Sequence, residues 1–247
     1  MKQSICTIVM MLWYSTTFSY INNTMLYHRM SYISSVDNNE NIIFNAKQSP
    51  QVELAGDGNI NGYEYVDLGL PSGLKWATCN IGASSLSDFG DYFAWGEITP
   101  KASYDERNCL TAQKNNLQLE SEGIINSEGI LTIPYDAAHA NWGATWRIPT
   151  KEEFEELIDK CNWSWINCSG TTGYEVTGPN GKMIFMPAAG YRYGELLCYS
   201  DKFGAYWSAT VFKGILKNAF YLDFFNNYRY VGSYTRFYGR SVRPVSE

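Results

Sequence analysis

A single segment of the chain shows sustained helical periodicity, and this scarcity of helix constrains the fold more than any other feature. Apolar residues recur there at positions i, i+3, i+4 and i+7, namely Phe154, Leu157, Ile158 and Cys161. Thr150 precedes them as a suitable N-cap, and Glu153 three residues later completes a capping-box pattern. The spacing predicts a helix that begins after Thr150 and buries one stripe of side chains.

The other patterned segments are short and are separated by turns. A weaker pattern predicts a second, short helix near residues 136–140, with Asp136 as its cap. Alternating or turn-bounded apolar runs predict strands at residues 63–68, 74–79, 174–177, 182–186, 205–210, 218–224 and 240–243. Short antiparallel strands with one or two helices indicate a loop-rich domain of the α+β class.

The first 61 residues differ in composition and hydrophobic pattern from the rest of the chain. A lysine precedes an apolar run at residues 5–14, which is too short to span a bilayer and is typical of a secretory signal peptide covering residues 1–19. The alternative for this run is a buried N-terminal strand. Residues 20–61 are rich in Asn and Ser and predict a loosely ordered leader or tether, which places the globular domain at residues 62–247. No later segment is apolar for long enough to cross a membrane.

Residues 101–128 form a second polar interval, inside the predicted domain. They include the runs Lys-Asn-Asn at 114–116 and Glu-Ser-Glu-Gly at 120–123. Because this interval lacks Pro-rich linker chemistry and is flanked by Trp-rich segments, we expect a surface insertion rather than a domain boundary.

The cysteines and histidines argue against a disulfide scaffold and against zinc. Removal of the signal would leave five cysteines without a CxxC pair, at positions 79, 109, 161, 168 and 198. An odd number leaves at least one thiol unpaired even in an oxidising compartment. His28 and His139 are the only histidines, and neither has a cysteine at ligand spacing.

Aromatic residues make up 16% of the chain and concentrate near its C-terminus, where residues 206–238 hold 12 of them. Residues 206–247 carry six basic and two acidic side chains, although the whole chain has a net charge of −6. The overall acidity argues against nucleic acid as the main partner. Tyr and Arg dominate binding hot spots, so an aromatic, basic segment on an acidic body predicts a recognition surface. The alternative is that these rings build the core.

Seven blocks of the sequence, in order, resemble one family. They are VDLGLPSGLKWATCN at 66–80, GDYFAWGE at 90–97, DAA at 136–138, WRIPT at 146–150, PAAGYR at 187–192, YWS at 206–208 and GRSVRPV at 239–245. The chain is similar, over roughly residues 62–247, to the Fibrobacter succinogenes major paralogous domain. The resemblance implies a C-type-lectin-like fold, similar to that of formylglycine-generating enzymes and of diversity-generating retroelement variable proteins. It also implies secretion or surface display in gut-type bacteria.

The C-terminal segment at residues 218–243 resembles a variable segment of such retroelement proteins after mutagenesis. In those proteins, Asn codons of a template are converted to codons for Tyr, Phe, Asp, Ser and Thr. Family-like residues alternate here with residues that altered Asn codons can reach, and the family-like ones are Ala219, Leu222, Phe224, Arg236, Gly239, Ser241 and Val242. We therefore expect the residues between them to be diversified.

The predicted ligand face lies between residues 225 and 240. It comprises Phe225, Asn226, Tyr228, Tyr230, Ser233, Tyr234, Thr235, Phe237, Tyr238 and Arg240. Residues 224–225 and 237–238 are pairs of adjacent aromatic residues, and neighbours in a strand point to opposite faces. One ring of each pair is therefore expected to face solvent. The predicted core contains the helical stripe and the tryptophans Trp76, Trp95, Trp142 and Trp146.

An enzyme is the alternative from a different class, and two observations weaken it. The reactive cysteine pair near the C-terminus of formylglycine-generating enzymes has no counterpart, because no cysteine follows Cys198. A Ser or Cys nucleophile needs a base, and His139 is the only histidine outside the predicted leader. Asp136 beside it is better explained as a helix cap.

Calcium-dependent sugar binding is also weakened. The nearest match to the lectin tripeptide is Gly178-Pro179-Asn180, which lacks an acidic first residue and therefore one of the oxygen ligands of calcium. The sequence leaves open a structural calcium site built from Asp88, Asp91 or Glu97.

Taken together, the sequence predicts a secreted or surface-displayed ligand-binding domain without catalysis or a required cofactor. Its expected partner is a protein or glycan on another cell or surface, and not nucleic acid. The main alternative is a structural surface or adhesin component without a specific ligand. An enzyme like the formylglycine-generating enzymes is the less favoured alternative.

Overall fold

The computed structural model describes residues 56–247, and within this range the protein is a mixed α+β, loop-rich domain. The predicted signal peptide at 1–19 and the leader up to residue 55 lie outside the described residues. The helices are α1 (Asn116–Ser121), α2 (Ala137–Trp142) and α3 (Lys151–Lys160), with short 3-10 turns at Glu106–Asn108 and Ile133–Tyr135. The strands are β1 (Gly58–Ile60), β2 (Tyr63–Asp67), β3 (Lys75–Ala77), β4 (Asn162–Cys168), β5 (Thr171–Thr177), β6 (Met183–Pro187), β7 (Ala189–Tyr193), β8 (Leu196–Cys198), β9 (Phe203–Val211), β10 (Asn218–Phe225), β11 (Tyr228–Thr235) and β12 (Val245–Ser246).

The strands of residues 56–247 form sheets in the orders β1-β2-β3-β12, β11-β10-β9-β7-β8 and β4-β5-β6. Neighbouring strands are antiparallel, except that β7 and β9 are parallel. β12 pairs with β3, where Val245 lies opposite Trp76, so the end of the described chain returns to its beginning. The expectation of short, mainly antiparallel strands is confirmed.

The domain begins earlier than the predicted boundary at residue 62. Strand β1 lies within the predicted leader and pairs with β2, with Ile60 opposite Tyr63. Asn61 and Gly62 form the turn between them, and both have positive φ angles, of 52° and 90°. Asn-Gly suits a tight hairpin turn because both residues tolerate this backbone conformation. The polar composition around residues 56–61 concealed this short strand.

The predicted helix is confirmed as α3. The Thr150 hydroxyl accepts a hydrogen bond from the Glu153 amide, and the Glu153 carboxylate accepts one from the Thr150 amide at 2.8 Å. Phe154 and Leu157 are fully buried, whereas Ile158 is half-buried. The capping box therefore forms at the predicted residues, and the apolar stripe packs into the domain.

The second predicted helix is confirmed as α2, with Asp136 as its cap. One carboxylate oxygen of Asp136 accepts hydrogen bonds from the amides of Ala138 and His139. The other accepts a bond of 2.8 Å from the amide of Ile148. Asp136 thus stabilises the start of α2 and links it to the segment that leads into α3.

Two further sequence expectations are wrong. Residues 101–128 are not a surface insertion, because they contribute the fully buried side chains of Tyr104, Ala112, Leu119 and Ile124. These apolar residues are too sparse to produce a recognisable period. Residues 240–243 form no regular strand and instead make single bridges from Arg240 to Phe93 and from Ser241 to Tyr206. The chain there pairs with two distant segments in turn, which local alternation cannot reveal.

The core contains two large apolar clusters. Trp95, Trp142 and Trp146 lie in one cluster, and Trp76 lies with Phe154 in the other, so the tryptophans predicted for the core are all buried. Strand β10 joins the clusters, because its alternate residues face opposite sides of the five-stranded sheet. Tyr221 packs into the first cluster and Leu222 into the second.

Phe224 and Phe225 provide a matched test of this alternation. Phe224 is fully buried, whereas Phe225 is 36% exposed. We expect Phe224→Ala to lower the free energy of unfolding by about 3–5 kcal/mol, because it leaves a cavity in the core. Phe225→Ala should cost about 1 kcal/mol, the scale of one exposed aromatic contact. Urea unfolding of both variants measures the difference, and equal losses would contradict the assigned faces.

Candidate ligand-binding surface

The predicted ligand segment is built largely on the β10–β11 hairpin. The two strands pair without interruption from Asn218 opposite Thr235 to Phe225 opposite Tyr228. Asn226 and Asn227 form the exposed turn, and Asn227 has a φ of 65°. Asn tolerates this left-handed conformation better than most residues, so a two-residue turn is favoured here. The turn sets the register and with it the face to which each ring points.

One face of this hairpin is rich in exposed rings. Phe225 and Tyr228 lie opposite each other at its end, and Tyr230 and Tyr234 follow on the same face of β11. Tyr228, Tyr230 and Tyr234 are 40%, 56% and 40% exposed. Tyr193 at the end of β7 is 46% exposed and contacts Tyr238, which in turn contacts Tyr234. We call this set the aromatic face, and it consists of Tyr193, Phe225, Tyr228, Tyr230, Tyr234, Phe237 and Tyr238.

Most rings of the aromatic face pack against one another, in two groups. The ring centroids of Phe225 and Tyr228 are 4.6 Å apart in a stacked arrangement. Tyr238 stacks on Tyr193 at 5.2 Å and meets Tyr234 edge-on at 5.0 Å. Such contacts restrict the rings while their outer surfaces remain in water. The face therefore combines apolar area with hydroxyl groups in a partly preorganised arrangement.

Arg240 does not lie on the surface, contrary to its predicted place in the ligand face. It is 2% exposed, and its backbone is held inside by two hydrogen bonds with Phe93. Its guanidinium carbon lies 3.8 Å from the ring centroid of Tyr221, 4.8 Å from that of Trp207 and 5.3 Å from that of Tyr234. Cation–π attraction to these rings favours the buried position. Arg240 lies beneath the aromatic face rather than in it.

Ser233 and Thr235 also differ from the prediction. They alternate with Tyr234 along β11, so their side chains point to the opposite face of the sheet, as does Val231 in the core cluster of α3. Ser233 accepts a hydrogen bond of 3.4 Å from the side-chain amide of Asn218. The structure therefore separates these two residues from the exposed tyrosines.

The expectation that one ring of the pair at 237–238 faces solvent is wrong. Phe237 and Tyr238 are both half-buried, and their centroids lie 4.7 Å apart. They follow β11 in a turn, where strand alternation no longer applies. For the pair at 224–225 the expectation is confirmed, because Phe224 is buried and Phe225 is exposed.

Asp223 is a component of the site that the sequence reasoning missed. It lies opposite Tyr230 in the hairpin register, and one of its carboxylate oxygens accepts a hydrogen bond of 2.8 Å from the Tyr221 hydroxyl. Its other carboxylate oxygen, Oδ1, is buried and has no hydrogen-bond donor among residues 56–247. Burial raises the pKa of Asp223 above its usual value, although the Tyr221 hydrogen bond and the charge of Arg240 oppose this shift. The sequence could have indicated its place, because residues 223 and 225 of a strand point to the same face and Phe225 was already assigned to the ligand face.

Two of the three acidic residues considered for calcium already have protein partners. Asp88 accepts hydrogen bonds from the amides of Ser84 and Gly90, and Glu97 pairs with Lys101 at 2.8 Å. Across residues 56–247, no three His, Cys, Asp or Glu side chains are placed to hold a metal ion. Asp91 is exposed in the same loop as Asp88. A structural calcium site at these residues stays a prediction from the sequence.

Comparison of the chain with models of protein families, with curated proteins and with solved structures finds no match.

In the part of the chain that the structure describes, no helix is long and apolar enough to span a membrane. Cys79, Cys109, Cys161 and Cys168 are free thiols. The function must therefore be inferred from the geometry of the surface itself.

The raised pKa of Asp223 predicts a pH dependence of stability. An acid whose pKa is higher in the folded state binds its proton more tightly when folded, so its contribution to stability is lost as pH rises above about 3.9 and through the folded pKa. Asp223→Asn keeps an acceptor for Tyr221 but cannot ionise. We therefore expect the free energy of unfolding of this variant, relative to that of the wild type, to increase with pH in urea titrations between pH 4 and 7. A difference independent of pH would show that the carboxyl is not perturbed.

Proposed function

We propose that this domain is a secreted or surface-displayed ligand-binding domain with a C-type-lectin-like fold, and that the aromatic face is its recognition surface. The observation that supports this most directly is the clustering of exposed Phe225, Tyr228, Tyr230, Tyr234 and Tyr193 on one side of the domain. Isolated exposed rings are common on proteins, but a contiguous set of them is typical of a binding site. The proposed partner is a protein or glycan on another cell or surface.

The balance of rigidity and exposure favours recognition over a purely structural role. Tyrosine supplies contact area with few rotatable bonds and a hydroxyl group for hydrogen bonding, so it loses little entropy on binding. The rings are held by one another and by a fully paired hairpin, which lowers the ordering cost further. The proposal assigns the domain no catalytic residue and no cofactor.

The distribution of burial in the C-terminal segment supports its proposed diversification by a retroelement. The family-like residues are all buried, and they are Ala219, Leu222, Phe224, Arg236, Gly239, Ser241 and Val242. Several of the residues between them, including Tyr228, Tyr230 and Tyr234, are exposed. A segment with an invariant buried frame and replaceable exposed positions tolerates sequence change without loss of folding.

Replacement of exposed tyrosines tests the recognition surface. Ligands for the wild-type protein are first selected from a glycan array and from a phage-displayed peptide library, and their affinities are then measured by biolayer interferometry. The triple variant Tyr228→Ser, Tyr230→Ser and Tyr234→Ser should weaken binding at least about thirtyfold, because one lost hot-spot ring costs about 2 kcal/mol. Its melting temperature should fall only slightly, since these rings are largely exposed.

A variant with altered apolar residues elsewhere is the matched control. Leu117 on α1 and Ile133 are 78% and 64% exposed and lie outside the aromatic face. Leu117→Ser with Ile133→Ser should leave the affinity of the selected ligands unchanged. If every selected ligand binds the triple tyrosine variant as well as the wild type, the aromatic face is not the recognition surface. If neither library yields a ligand, the structural surface component is favoured.

The proposed diversification has a test in the adjacent DNA. We expect a near-copy of the sequence encoding residues 218–243, with adenines at the differing positions, close to a gene for a reverse transcriptase. The differences should fall in codons of exposed residues such as Tyr230 and spare those of buried residues such as Leu222. Sequencing of the neighbourhood checks this, and a neighbourhood without a template repeat would refute the diversification while leaving the binding proposal intact.

A further inference from the structure

Buried positive charge beneath the aromatic face points to the chemistry of its ligand. Arg236, Arg240 and Arg243 are 0%, 2% and 0% exposed. None of them forms an ion pair with a carboxylate of residues 56–247. Arg243 donates hydrogen bonds to backbone carbonyls and to Asn80, so its polar groups are satisfied. Arg236 and Arg240 each have buried Nε and Nη1 atoms without an acceptor among residues 56–247. Arg236 lies over Trp95, whereas Arg240 lies against rings of the aromatic face.

The guanidinium of Arg240 has unused hydrogen-bonding capacity. Its Nε and Nη1 atoms have no acceptor among residues 56–247. Besides Tyr221, Trp207 and Tyr191, its neighbours are Tyr234 and Tyr238 of the aromatic face, at 5.3 and 5.9 Å from its carbon to the ring centroids. A buried charge without a counter-ion is costly, and its field extends further in a medium of low dielectric constant than in water. The exposed surface nearest to this charge is the aromatic face.

Asp223 adds an acceptor to the same place. Its Oδ1 atom is buried without a donor among the described residues, and it lies across the hairpin from Tyr230. Burial raises the pKa of Asp223 and the charge of Arg240 opposes this shift, so the two groups interact electrostatically although no ion pair joins them. The site thus offers unused donors on Arg240, an unused acceptor on Asp223 and exposed rings above them.

We propose that the aromatic face binds an acidic sugar, whose carboxylate is attracted by Arg240 and whose hydroxyl group donates to Asp223. This inference rests on the proposed ligand-binding function and names the class of ligand. The carbon–hydrogen faces of a pyranose ring pack against tyrosine rings, and its carboxylate complements the positive charge of Arg240, which no ion pair neutralises. Side chains at the surface rotate within nanoseconds, so movement of Tyr230 or Tyr234 opens access to the buried atoms without displacing a strand.

An acidic peptide is the competing occupant, and the observations favour the sugar. A carboxylate side chain is an acceptor only, so an acidic peptide would have to supply the donor that Asp223 Oδ1 needs from its backbone N–H groups. A sugar acid carries hydroxyl donors and a carboxylate on one compact ring. The two occupants respond differently to removal of Asp223: binding of the sugar acid loses a hydrogen bond, whereas binding of an acidic peptide gains from the loss of a negative charge.

Three probes test this inference by isothermal titration calorimetry on the full chain. They are trigalacturonate, its neutral methyl ester and hexaglutamate. We expect trigalacturonate to bind at least tenfold more tightly than the methyl ester and hexaglutamate, and its affinity to fall as salt is raised. Equal binding of the acid and its ester would overturn the role of charge. Tighter binding of hexaglutamate would overturn the sugar in favour of an acidic peptide.

Two variants that each remove one positive charge test whether Arg240 provides the attraction for the carboxylate. Arg240→Met should weaken trigalacturonate binding at least tenfold, whereas Arg229→Met, which removes an exposed arginine stacked over Trp163 on the same hairpin, should change it less than threefold. Equal effects of the two variants would overturn the assignment to Arg240. If near-ultraviolet circular dichroism shows that Arg240→Met is unfolded, Asp223→Ala decides, since it should weaken trigalacturonate binding and strengthen any binding of hexaglutamate. Strengthened or unchanged trigalacturonate binding by Asp223→Ala would refute the proposed contacts.

Failure of this inference is distinguishable from failure of the proposed function. If trigalacturonate does not bind, while ligands from the two libraries still depend on Tyr228, Tyr230 and Tyr234, the acidic-sugar assignment is wrong and the recognition surface remains. If neither trigalacturonate nor any library ligand depends on those tyrosines, both are wrong.

Discussion

The buried guanidinium of Arg243 is the interaction on which the rest of this structure depends. It donates to the backbone carbonyls of Ala77 at the end of β3 and Phe185 in β6, and to the side chain of Asn80. The Asn80 amide in turn donates to the Tyr206 hydroxyl on β9. One arginine and one asparagine therefore connect elements of the four-stranded, three-stranded and five-stranded sheets. Removing a cation from water is costly, and these short hydrogen bonds offset much of that cost.

The same segment that holds the sheets together also shapes the candidate binding surface. Arg240 lies three residues before Arg243, and its backbone bonds to Phe93 place its charge beneath the tyrosine rings. On β10, Leu222 and Phe224 face one core cluster, whereas Tyr221 and Asp223 face the side of the aromatic face. The exposed rings consequently lie on the face opposite Leu222 and Phe224, although Tyr221 on the ring side packs into the other core cluster. This arrangement supports the proposed recognition role.

Much of the fold was predictable where a local interaction decides the structure. The capping box at Thr150 and the cap at Asp136 act within a few residues, and both formed as expected. Turn chemistry likewise marked the β5–β6 hairpin. Strand β1 and the buried parts of residues 101–128 escaped prediction, because short or sparse apolar segments acquire their structure from distant partners. Residues 240–243 show the same effect, since their pairing to Phe93 and Tyr206 has no local signature.

For the binding surface, the sequence by itself determined which rings could be exposed. The aromatic, basic composition near the C-terminus marked Tyr228, Tyr230 and Tyr234 as candidates for a recognition surface, and these rings are exposed. That they share one face follows from strand β11, which the sequence analysis did not predict, and from its pairing with β10. Only the tertiary structure decided that Arg240 is buried, that Ser233 and Thr235 face the other way, and that Asp223 joins the site. Alternation states which residues share a face, but not which face is covered. Which face of a strand is buried depends on packing against segments far away in the chain. The burial of the Arg240 charge beneath the rings depends on the same packing.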